Sequence, residues 1–150
     1  MKLIQFLVRE HLRIGKFTEM NKGKQALLMK EGENTHANIN DFSARFPFFF
    51  RLLQLLIADC EASAHKASVW VPVIEESISI WKHLKELDEL ERARKLIDGN
   101  DLLSMGVEKG AEVGRILKEV YEKIFEGEIK SREQALETAR RLLDKSARLD

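Results

Sequence analysis

In the stretch MGVEKGAEVGRILKEVYEKIFEGEIKSREQAL, residues 105–136, three glycines stand four apart at Gly106, Gly110 and Gly114. Lys109 precedes the middle glycine, and Arg115 and Lys118 follow the last within a turn and a half. Such a grouping can hold an anion. The first amides of an α-helix have no partner inside it, and the aligned peptide dipoles place partial positive charge at that end. A helix starting after Gly110 would turn the N–H groups of residues 111–113 outward, and the bare backbone at Gly114 would admit a phosphate. Lys130 and Arg132 supply further positive charge at the start of the following helix. The same glycines also have a packing reading, with Gly106 and Gly110 as turn residues and Gly114 at a close helix crossing. Inside a helix glycine costs about 1 kcal/mol against alanine, so either reading must give Gly114 a reason.

Other reactive side chains form no comparable group. His65 and His83 lack partners at metal-ligand spacing, and His11, His36, His65 and His83 are each followed by something other than aspartate. Glu75 and Glu76, and the KELDELERARK run at 85–95, read as a solvated helix face laced by Lys85–Glu89 and Glu91–Lys95. Trp70 and Trp81 read as core, and the single Cys60 as a buried thiol in a reducing compartment. No nucleophile is placed beside a base.

The elements that must position the glycines are helical throughout. With 150 residues, 44% apolar and 33% charged, the chain has the balance of a soluble globular protein of one domain or two small ones. Two prolines and eight glycines punctuate it. Basic and acidic residues number 25 each, so overall charge selects neither nucleic acid nor an anionic membrane. MKLIQFLVREHLR is too broken by Gln5 and Arg9 for a signal peptide, and FPFFFRLLQLLIA is too short and polar to cross a bilayer. A cytoplasmic protein without membrane contact is expected.

Apolar spacing predicts a first helix over 2–13 with Leu3, Phe6, Leu7 and Ile14 inward, and a weaker one around QALLMK. Residues 31–40 read as a loop, and Pro47 as the first turn of an apolar central helix. A long helix over about 69–96 buries Val73, Ile74, Ile80, Trp81, Leu84 and Leu87. The DGND cluster then leads into a short helix closed by Gly106. Val113, Ile116, Leu117, Val120, Tyr121, Ile124 and Phe125 mark the next, which Gly127 ends. Ser131 and Gln134 form a capping box for the last, whose inner face is Ala135, Leu136, Ala139, Leu142 and Leu143. The expectation is an all-α bundle of about six to seven helices.

The ordered set Gly106, Gly110, Val113, Gly114, Leu117, Gly127, Glu128, Ile129, Ser131, Arg132, Glu133, Gln134, Ala135 and Leu136 resembles the C-terminal signature of bacterial tRNA nucleotidyltransferases, the CCA-adding and poly(A) polymerase family. FLVREHLR and RLLQLLIADCEAS, with Leu55, Leu56, Ala58 and Asp59, are more loosely similar to the HD-like helical body of that family. The resemblance implies a body over residues 1–97 and a tRNA-gripping tail over 98–150. It also implies RNA contacts from Lys109, Gly110, Gly114, Arg115 and Lys118, then Lys130 and Arg132. The family's catalytic head needs a Gly-Ser loop, a paired D-x-D for magnesium and an E-D-x-x-R element, and the sequence holds none of these. No catalytic residue or metal ligand is therefore expected here. Magnesium and ATP or CTP would belong to the head, and the chain alone should be inactive.

Three functions follow as expectations. The first is a non-catalytic portion that grips the tRNA acceptor arm, alone or with a separate head, since A-form RNA is held by shape and backbone. The second is a helical docking or self-associating module whose surface comes from FPFFF and the first helix. The third is a degenerate HD phosphohydrolase with His11 and Asp59 as remnants, disfavoured by the missing His-Asp dyad.

Overall fold

The local signals that start and stop helices recur along the chain, and the computed structural model, which describes residues 1–63 and 67–148, places a helix at each. The described residues hold eight α-helices, one 3-10 segment and no strand, so the chain is all-α. His65 lies outside the described residues. The chain divides into two compact units, Met1–Lys85 and Glu86–Asp150.

In the first unit α1 (Lys2–Glu10) runs into a 3-10 segment (Ile14–Glu19), followed by α2 (Lys22–Lys30). Asn21 starts α2 by accepting the Lys24 N–H at 2.9 Å. Asp41 does the same for the four-residue α3 (Phe42–Arg45), which is too short to show a period in sequence. Pro47 opens α4 (Pro47–Ala62), where its missing N–H costs nothing. Phe6, Phe17, Phe46, Phe49 and Leu52 are fully buried around α4. FPFFF is mostly core: proline sets the helix start so that Phe46 and Phe49 face inward, with Phe48 and Phe50 half-buried and Phe50 lining an apolar cleft of about 250 Å³ with Phe42, Leu53, Ile74 and Trp81. Ile4 and Val8 on the outer side of α1 are exposed, as are Leu27 on α2 and Ile78 further along the chain.

α5 (Ala67–Leu96) supplies Val73, Ile80 and Leu84 to this first core. Trp70 and Trp81 pack against the same core, and the Trp81 indole N–H donates to the Ile39 carbonyl at 2.8 Å, tying down the 31–40 loop. The Lys85 ammonium sits 4.2 Å over the Trp81 ring, so it serves the aromatic cluster in place of the anticipated partner Glu89. Leu87 is exposed, contrary to the sequence reading, because the last buried position of that stripe is Leu84.

The second unit takes the end of α5 together with α6 (Gly99–Ser104), α7 (Ala111–Phe125) and α8 (Arg132–Ala147). Ile97, Leu102, Ile116, Val120, Ala135 and Ala139 are fully buried at its centre. Val113, Leu117, Tyr121 and Ile124 line the core as their spacing requires, but Phe125, in the final turn, is exposed.

Candidate nucleic-acid interface

The helix ends around the glycines are built by backbone chemistry. Asp98 caps α6, accepting from the N–H groups of Asn100 and Asp101, while Asp101 accepts from the Asp98 N–H at 2.9 Å. At the other end Gly106 has φ +92°, and the Val107 N–H reaches the Leu102 carbonyl at 3.1 Å while the Gly106 N–H reaches Leu103 at 3.0 Å. This is a Schellman closure, and Val107 and Leu102 are both buried in the core of this unit. Gly127 repeats it at the end of α7 with φ +79° and a Glu128 N–H to Lys123 carbonyl bond of 3.0 Å.

The start of α7 differs from the starts of α6 and α8. Gly110 is its N-cap residue at φ +136°, and no side chain caps it. A Cβ built at Gly114 meets nothing within 4 Å, so no described helix crosses there and the close-crossing account of Gly114 fails within the described residues. Lys109 and Lys118 are exposed beside this helix start and have no partner among the described residues.

The two arginines behave differently. Arg115 donates to Glu119 Oε1 at 3.1 Å and to the Ser146 hydroxyl at 2.6 Å, and lies 3.6 Å from Glu112. It joins α7 to α8 and is flanked by two carboxylates. Arg132 holds Asp101 with both terminal nitrogens, at 2.6 and 3.2 Å, and donates to the Leu96 carbonyl at 3.1 Å. The Arg132 guanidinium, then the Asp98 N–H, draws the Asp101 carboxyl below its ordinary pKa, and Arg132 is raised in turn by Asp101. Arg132 is therefore a clamp joining the starts of α6 and α8 to the end of α5 rather than a spare cation.

Lys130 presents its side chain to solvent, and its backbone N–H donates to Gln134 Oε1 at 2.8 Å. The expected capping box is thus shifted by one residue: Ser131 accepts from the Gln134 N–H, but Gln134 returns to Lys130 instead of Ser131. Sequence reasoning missed Asp101, Glu119 and Ser146 as the groups that engage the arginines. Glu119, four residues after Arg115, carried a readable signal; Asp101 and Ser146, each 31 residues from its arginine, did not. A cleft of about 420 Å³ between α7 and α8 is lined by Lys123, Arg141 and Lys145, but Lys123 is held by Glu128 and Arg141 by Glu137.

Among the described residues no three histidine, cysteine, aspartate or glutamate side chains are grouped to hold a metal ion. His11 Nδ1 instead lies 2.8 Å from the Val8 carbonyl, and Asp59 is exposed. Cys60 is buried. No helix among the described residues is long and apolar enough to cross a membrane. Comparison of the chain with protein-family models, curated proteins and solved structures finds no match.

Proposed function

We propose that the chain is a non-catalytic, cytoplasmic RNA-binding portion of a tRNA nucleotidyltransferase-like protein, gripping the tRNA acceptor arm by its phosphate backbone and shape. One observation carries this reading: Gly114 keeps a helix-weakening residue in the first turn of α7 although nothing in the described chain packs against it. A reason outside the chain, close approach of a phosphate to an uncapped helix start, accounts for it. The contacts are then the amides of residues 111–113 with Lys109 and Lys118, and Lys130 from the next helix start. Arg115 and Arg132 hold those helices in place. The second unit carries 13 basic against 16 acidic residues, so binding is weak at physiological salt without further basic surface, such as a separate catalytic head that brings magnesium and ATP or CTP.

The test is titration of the chain with a tRNA acceptor-arm minihelix at several salt concentrations, against an unrelated hairpin of equal length. Preferential, salt-sensitive binding to the minihelix supports the reading, and equal or absent binding overturns it.

A second reading, a helical docking module without RNA binding of its own, is favoured by the outer face of α1. Ile4 and Val8 are 65% and 67% exposed there, and Met1 and Leu12, just outside the two ends of the helix, are 96% and 80% exposed.

A further inference from the structure

We infer that the outer face of α1 docks an acidic amphipathic helix of a partner protein, an inference that rests on the docking reading and names its partner. Ile4 and Val8 stand one turn apart on α1, the spacing by which one helix seats in the groove of another, and exposed Met1 and Leu12, just outside its two ends, extend the apolar surface. The opposite side of α1 is already used, with Phe6 buried and Leu3 and Leu7 half-buried, so the helix carries two apolar faces and only one is covered.

Charge selects the occupant. α1 and the segment that follows it, residues 1–17, contain four basic side chains and one acidic, Glu10, which is only 3% exposed beneath Arg9 and Arg13. Arg9 is shared with Glu31 at 2.5 Å, but Lys2 and Lys16 have no partner among the described residues. An acidic helix complements this surface. A second copy fits less well: an antiparallel two-fold pairing sets the basic flank of α1 against the same flank, and a parallel one offers it no acid, since the one acid of α1, Glu10, is buried. A bilayer fits poorly as well. At 3.6 residues per turn Ile4 and Val8 lie about 40° apart, a stripe narrower than the broad apolar face of a core-facing or membrane-lying helix. Its aromatic residue, Phe6, is turned inward.

The experiment uses the full chain and a synthetic helix of about three heptads, with leucine at a and d and glutamate at e and g, beside a lysine-flanked counterpart. The expected result is binding of the glutamate helix at least about ten-fold tighter than the lysine helix, and lost by about the same factor in Ile4→Ser/Val8→Ser. Both positions are solvent-exposed, so circular dichroism of the variant should match the parent. Equal binding of the two peptides overturns the acidic partner while leaving a docking face. A dimer by sedimentation velocity that the double substitution abolishes overturns it in favour of a second copy. Sedimentation with phosphatidylserine vesicles, without peptide binding, overturns it in favour of a bilayer. No association in any arm overturns the docking reading itself.

Discussion

Arg132 grips Asp101 with both guanidinium nitrogens, at 2.6 and 3.2 Å, while Asp101 also accepts the Asp98 N–H that opens α6. One carboxylate thus serves a helix cap and an ion pair between elements 31 residues apart. Its pKa is lowered in the fold, by Arg132 first and the Asp98 amide second. The sign follows from linkage: a carboxylate with a depressed folded pKa contributes stability that is complete above about pH 4 and is lost as pH falls through the folded value. In urea unfolding between pH 7 and pH 3, the stability gap between the parent and Asp101→Asn should therefore be widest near neutrality and close below about pH 4. A gap that stays constant with pH would mean that the ion pair contributes nothing.

Substituting alanine at three glycines should give opposite signs. Gly114 has open space where a Cβ would go and an ordinary helical backbone, so Gly114→Ala should be neutral or stabilise by up to about 1 kcal/mol. Gly106 and Gly127 sit at φ +92° and +79° inside Schellman closures, and alanine there should cost about 1–2 kcal/mol. Denaturant midpoints decide. A destabilising Gly114→Ala would point to packing against something at that site. If RNA approaches there, the same substitution should weaken minihelix binding while leaving the fold intact.

How much was legible in sequence depended on range. The α7 stripe and both Schellman glycines are local patterns of four to eight residues, and they stand where the spacing put them, except that Phe125 faces solvent in a last turn that the core does not reach. The short α3 carried no period, and its only signal was Asp41 three residues before the amide it caps. Side-chain partners across the fold were not readable. Lys109, Arg115, Lys118 and Arg132 look equivalent as basic residues, yet two are consumed by Glu119, Ser146, Asp101 and Leu96 while the lysines stay open. FPFFF illustrates the same limit, since apolar residues look alike until Pro47 fixes which of them turn inward.

The Trp81 indole is the tie between α5 and the 31–40 loop. Trp81→Phe keeps most of the edge contact with Phe42, whose ring lies 5.2 Å away, but removes the donor to Ile39. The cost should be about 1 kcal/mol, the net worth of one such hydrogen bond, together with faster amide exchange across the loop. Phe49→Ala should cost about 3–5 kcal/mol by leaving a core cavity, since Phe49 is fully buried 5.4 Å from the Phe17 ring. Similar losses for the two variants would contradict this placement of Trp81 at the edge of the core.

Arg115 separates a phosphate contact from a structural one. Held by Glu119 at 3.1 Å and near Glu112, it should not itself count in the salt dependence of RNA binding, whereas Lys118, without a partner among the described residues, should. Lys118→Ala is expected to reduce the slope of log affinity against log salt by about one. Arg115→Ala should leave that slope unchanged. Glu119→Gln weakens the hold on Arg115 and removes a negative charge, so it should raise minihelix affinity and, once the guanidinium turns to a phosphate, steepen the slope by about one. Affinity that is unchanged in both Lys118→Ala and Glu119→Gln would remove the start of α7 from the RNA interface.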